Sequence, residues 1–96
     1  MFEGDKYMTA GVKSKIPAQT QRRMWDMIEV ARQETELDYL QIFELKRYKK
    51  LQTIVHRQEK PEFEREYLMA ADEIVREKVY IIDSGEYCTM LLAGEY

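Results

Sequence analysis

The sequence predicts an α+β domain in which one amphipathic helix packs on a mainly antiparallel sheet of five or six strands, in the order β-α-β-β-β-β-β. Three observations carry this expectation. Met24, Ile28 and Ala31 recur at i, i+4 and i+7 with Trp25 beside them, the period of a helix that buries one stripe. From Leu37 onward the pattern changes to alternation, rich in β-branched and aromatic residues. Ser84-Gly85 then separates two apolar runs, as a hairpin turn does.

Taken in order, Lys6 to Val12 reads as a short first strand, because Tyr7 and Thr9 are strand formers, with Gly11 weakening its end. Ser14-Lys15-Ile16-Pro17 is a helix entrance, with proline at the first helical position, where it has no hydrogen bond to lose. The helix runs to about Glu34, and Arg22 and Asp26 are spaced for an ion pair on its outer side. Leu37–Tyr48 and Leu51–Glu59 read as antiparallel strands joined by a basic turn at Lys49-Lys50. In the second of these strands Leu51, Thr53 and Val55 face one way, and Gln52, Ile54 and His56 the other. Pro61 ends it, having no donor for a ladder. Phe63 to Lys78 fits two periods: Phe63, Tyr67, Ala70 and Ile74 suit a helix, whereas Phe63, Arg65, Tyr67 and Met69 suit a strand. Lys78–Asp83 and Glu86–Ala93 form the last hairpin. Pairing Asp83 with Glu86 puts Val79, Ile81, Cys88, Met90 and Leu92 on a core face. The opposite face then carries Tyr80, Ile82, Tyr87, Thr89 and Leu91.

Ninety-six residues, 45% of them apolar, suit a single domain spanning residues 1–96 with one core. The 18 acidic and 15 basic residues give a net charge of -3, which argues against a dedicated binder of phosphate backbones. Met1 to Lys6 has no apolar segment of the signal-peptide kind, and no stretch is long and apolar enough to span a membrane, so a cytoplasmic location is expected. Cys88, the one cysteine, reads as a small buried hydrophobe with no disulfide.

Several blocks resemble a known family. They are Asp38-Tyr39-Leu40-Gln41-Ile42-Phe43-Glu44-Leu45, His56-Arg57-Gln58-Glu59-Lys60-Pro61-Glu62-Phe63 and the ending from Ile82-Asp83-Ser84-Gly85-Glu86-Tyr87 to Tyr96. Their order is similar to that of short Gram-positive bacterial proteins grouped as domain of unknown function 960. The resemblance extends from Ile16-Pro17 to Tyr96. It implies turn-like residues across Met69 to Glu73, and so a strand followed by a loop in the ambiguous segment. Cys88 departs from the serine the family pattern implies, which speaks against thiol chemistry. The family brings no assigned activity.

No catalytic, metal or nucleotide motif stands out, and no cofactor or metal is expected. Only one histidine exists to serve any nucleophile, and a metal site at His56 would need two or more further ligands. His56 and Gln58, which share a strand face, make a candidate ligand-binding pair for a small-ligand binder or minor enzyme. His56 and Glu59 point to opposite faces, which undercuts acid–base pairing between them. Lys46, Arg47, Tyr48, Lys49 and Lys50 could grip phosphates and stack a base. One such patch on an acidic domain gives few phosphate contacts, and lysines at a turn also discourage edge-to-edge strand pairing. The seven tyrosines are the least ordinary feature. With one helix, only one sheet face is covered. The other, carrying Tyr80, Ile82, Tyr87 and Leu91, is the leading candidate for an interface with a second copy or another protein, and the expected role is a non-catalytic interaction module.

Overall fold

The computed structural model describes residues 1–96 as β1 (Asp5–Met8), α1 (Ala10–Lys15), α2 (Ala18–Arg32), β2 (Leu40–Tyr48), β3 (Leu51–Gln58), β4 (Phe63–Met69), β5 (Glu77–Asp83) and β6 (Tyr87–Leu92), followed by a 3-10 turn at Ala93–Glu95. The strands form one six-stranded sheet in the order β1-β6-β5-β2-β3-β4. Only the β1–β6 pair is parallel. The α+β reading with one long helix therefore holds.

The start of the chain differs in detail from the expectation. β1 stops at Met8, and Gly11 and Val12 belong to a short helix. Thr9 decides this: its hydroxyl oxygen accepts the Val12 N–H at 3.2 Å, capping α1, and donates to Glu95 Oε1 at 2.7 Å. Glu95 Oε1 also accepts the Leu92 N–H at 2.8 Å, so one carboxylate ties the end of β6 to the start of α1. Those hydrogen bonds, led by the one from Thr9, hold the Glu95 carboxyl below the usual carboxylate range. Pro17 sits at the cap of α2 rather than inside it. Arg22 and Asp26 form no ion pair within 4.0 Å, and the α2 pair is Arg32 with Glu29 at 3.1 Å. At Gly4 an added Cβ would lie 2.2 Å from the Glu86 carbonyl oxygen, so glycine lets the chain before β1 run against the last turn.

The core lies between the helices and one face of the sheet. Met24, Met27 and Ile28 of α2 and Val12 and Ile16 around α1 meet Phe43, Leu45, Ile54, Val79, Ile81, Cys88, Met90 and Leu92. Trp25 is half-buried at the edge of this cluster, with Lys6 over its ring, and Phe2 joins the core with no signal in the sequence. The final hairpin pairs Asp83 with Cys88, Ile82 with Thr89 and Ile81 with Met90, a slip of two residues from the pairing with Glu86 at its start. The turn is longer than two residues, with Gly85 at a φ of +100°. Because side chains alternate with period two, an even slip leaves both faces unchanged, and the expected core face of this hairpin is the observed one.

Phe63–Met69 is a strand, and the chain then loops from Ala70 to Arg76. That loop leaves edge strand β4 and passes the ends of β3 and β2 to start β5 on the far side. Buried Gln52 holds it in passing: its Oε1 accepts the Val75 N–H at 2.8 Å, and its Nε2 donates to the Val75 carbonyl at 3.0 Å and the Lys46 carbonyl at 2.9 Å.

Two substitutions test this packing. Ile81→Ala, at a fully buried site, should lower the unfolding free energy by about 2–5 kcal/mol in a urea titration. Gln52→Leu should cost about 1–3 kcal/mol by leaving the Val75 amide groups unpaired, and hydrogen exchange should be fastest across residues 70–76.

Candidate functional site

The open face of the sheet has two halves. On the β1–β6–β5 side one cross-strand row runs Tyr7–Thr89–Ile82–Leu40 and the next runs Leu91–Tyr80–Ile42. Tyr87 lies beyond the first row, and its ring meets that of Tyr7 edge-on at 5.9 Å and 80°. Tyr96, carried back by the 3-10 turn, meets Tyr80 edge-on at 5.4 Å and 89°. On the β3–β4 side the same face turns ionic. Arg57 Nη1 donates to Glu44 Oε1 at 3.0 Å, with Lys46 Nζ at 3.7 Å from the other oxygen. That hydrogen bond from Arg57, with Lys46 and Lys78 nearby, holds the Glu44 carboxyl below its usual range.

Of the four residues expected to make this patch, Tyr87 is exposed, and Tyr80 and Ile82 are half-buried. Leu91 is a correction: it retains only 8% of its surface. It lies opposite Tyr80 in the ladder, whose ring is met edge-on by Tyr96. Tyr7 and Tyr96 take its place as accessible members. Alternation alone could not place Tyr96, which reaches the face only because the chain turns back after Leu92.

His56 and Gln58 are likewise corrected as an accessible ligand pair, because both are buried beneath the helices. The His56 ring stacks on Phe43 at 4.3 Å and 12° and meets the edge of Phe63 at 5.8 Å. Its Nε2 lies 2.6 Å from Gln41 Oε1. Gln41 Nε2 donates to Gln58 Oε1 at 2.7 Å and to the Asp38 carbonyl at 2.8 Å. Gln58 Nε2 completes the chain on the carbonyls of Glu36 and Pro61, each at 2.8 Å. The network therefore fastens the α2–β2 connection and the β3–β4 turn to the end of the sheet. His56 Nδ1 has no partner. Burial, with the positive charge of Arg65 nearby, pushes the His56 pKa down to about 4, so the ring is neutral near pH 7. His56 is the hydrogen-bond donor to Gln41 in this network. Cys88 is also buried, and burial pushes its thiol up, away from the reactive thiolate. No three His, Cys, Asp or Glu side chains gather in a way that could hold a metal.

Lys46, Arg47, Tyr48, Lys49 and Lys50 are all exposed at the β2–β3 turn. Lys49 adopts a φ of 55°, Arg47 Nε donates to its carbonyl at 2.8 Å, and its ammonium lies 5.4 Å from the Tyr48 ring centre. Because β2 outruns β5, a shallow cleft of about 480 Å³ opens between them, lined by Lys46, Arg47, Arg76 and Lys78 with Glu44 and Glu77. Arg76 and Lys78 join the basic turn from a distant part of the sequence, which residue spacing could not reveal.

The comparisons agree with this fold. Residues 5–95 match the model of a family described as a staphylococcal protein of unknown function, DUF960. A crystal structure of a protein of unknown function from Enterococcus faecalis is similar, with a TM-score of 0.84 and 21% identity over 98% of this chain and 92% of that one. At that identity the likeness supports the fold alone. No curated protein matches the chain. No helix is long and apolar enough to cross a membrane.

The buried histidine predicts a pH effect of defined sign. A base with a folded-state pKa below its unfolded value stabilises the fold fully above the unfolded pKa. That stability is lost as pH falls from 6.5 toward about 4. Chemical denaturation should show wild type losing about 2–3 kcal/mol more than His56→Phe between pH 7 and 4.5.

Proposed function

We propose that this chain, which belongs to the staphylococcal DUF960 family of unknown function, is a non-catalytic interaction module that pairs with a second copy through the tyrosine half of its open sheet face. The observation that carries this reading is the two edge-to-face tyrosine pairs, Tyr7–Tyr87 and Tyr80–Tyr96, standing on a sheet face that no helix covers. Tyrosine suits an interface because its ring contributes apolar area while its hydroxyl keeps the face wetted when free.

The size of the patch supports a copy of the same chain as the occupant. Tyr7, Tyr87 and Tyr96 expose 54%, 46% and 71% of their surface. At about 200 Å² per ring side chain, that is roughly 350 Å² from three residues. Half-buried Tyr80, Ile82, Thr89 and Leu40 extend it toward the ~800 Å² per partner of a standard interface. The rings and aliphatic side chains of the patch are uncharged. Its rim carries one charge of each sign, Asp5 opposite Tyr87 and Lys78 5.8 Å from the Tyr80 ring, so the patch has no excess of one sign to oppose pairing with itself. The edges fit less well. β1 has only four residues, and β4 exposes Glu64, Arg65 and Glu66, which discourage strand addition. With His56 buried and no cluster of acid, base and nucleophile around a cleft, catalysis has less to support it than binding.

Sedimentation equilibrium tests the proposal. A dimer is expected at tens of micromolar, and Tyr87→Glu should release monomer with an unchanged circular dichroism spectrum. A monomer at high micromolar concentration, or a Tyr87→Glu protein that unfolds, would remove the support for pairing through this face.

A further inference from the structure

Five cations stand around the cleft between β2 and β5 without a carboxylate within 4.0 Å: Arg47, Lys49, Lys50, Arg76 and Lys78. Glu44 and Glu77 line the same cleft and offset part of this charge, but with Lys46 the group is six cations against two carboxylates, a local positive excess on a chain whose net charge is -3. The two walls come from separate parts of the sequence and are fixed relative to each other. Gln52, fully buried, bonds the Lys46 carbonyl on one wall and both amide groups of Val75 at the root of the other. Arg47 is oriented in turn by its bond to the Lys49 carbonyl. The backbone of the two walls is therefore fixed, and among the side chains Arg47 is the one held by a hydrogen bond.

From this arrangement we infer that the cleft and the adjoining turn bind the phosphate backbone of a single-stranded nucleic acid, with Tyr48 as a platform for one base. The cleft holds the first phosphates between Arg47 and Arg76, and Lys49 and Lys50 continue the positive track past it along the turn. Tyr48 lies beside that track with 54% of its surface exposed. A base can stack there only if it is free of a duplex, which selects single strands. A small phosphate compound would fill the cleft and leave the turn cations and the ring unused. Strand β4, two places from β2 at the sheet edge, with Glu62, Glu64 and Glu66 exposed on and beside it, repels the same backbone. The tyrosine face adjoins this site only where Lys78 meets Tyr80.

Fluorescence anisotropy of a labelled twelve-residue oligothymidylate tests it. Binding is expected at 50 mM salt, with log K falling against log salt at a slope of about -3, as for some four phosphates engaged on a single strand. Arg76→Glu together with Lys78→Glu should weaken binding by tenfold or more. Tyr48→Ala should weaken it by roughly 5- to 100-fold with little change in the salt slope. Lys13→Glu, on α1, should bind like wild type. The inference is overturned if no binding occurs at 50 mM salt, if the slope is near zero, or if the Arg76/Lys78 variant binds normally while retaining its circular dichroism spectrum. It is also overturned if ATP or inorganic tripolyphosphate competes as tightly as the oligonucleotide, which would make the cleft a small-phosphate site.

Discussion

The sheet is held in its order by amide side chains buried where apolar ones would ordinarily sit. Strands β2 and β3 carry Gln41, Gln52 and Gln58 on the face beneath the helices. They carry hydrogen bonds to backbone outside the strands: Gln52 to both amide groups of Val75, and the Gln41–Gln58 pair to Glu36, Asp38 and Pro61. Buried backbone groups left unpaired are costly, and a glutamine amide satisfies both a donor and an acceptor. Without Gln52 the loop that carries the chain from β4 around to β5 would have to find other partners at the end of the sheet. The order β1-β6-β5-β2-β3-β4 depends on that passage.

Placing helices and loops on one side leaves the other side of the sheet to its own devices. Its two halves are chemically distinct. Tyrosines gather over β1, β6 and β5, whereas Glu44, Arg57 and Lys46 form an ionic group toward β3. Ile42 and Leu91 show that the face is not simply exposed, since both are nearly buried by larger neighbours on the same rows. The proposed interface is thus a rim of aromatic rings over a partly shaded apolar floor, a form that can be covered without first unfolding anything. The basic cleft lies at the end of the sheet where Lys78 approaches Tyr80 at 5.8 Å, so the two surfaces meet at one residue while drawing on different chemistry.

Neutral His56 belongs to the fold more than to a site. Stacked on Phe43 and bonded to Gln41, it links the apolar cluster to the glutamine network. Its position explains why His56 does not work with Arg57, which points to the opposite face and bonds Glu44 there.

In the sequence by itself, period and alternation determined the long helix, the strands over β2, β3, β5 and β6 and the two faces of the last hairpin, because they are local properties that survive even a two-residue slip in register. Strand β4 fits two periods and reads as a strand through the family resemblance. The blocks around Asp38, His56 and Ile82 also sufficed to identify the family. Tertiary structure alone decided which polar residues are inside. Gln41, Gln52, His56 and Gln58 alternate like a solvated strand face, and only the loops they fasten, distant in sequence, reveal them as interior. Likewise, no spacing rule brings Arg76 and Lys78 to the Lys46–Lys50 turn, or Tyr96 onto Tyr80. Those juxtapositions follow from how β5 is placed beside β2 and how the chain turns after β6, and a local pattern holds no record of either.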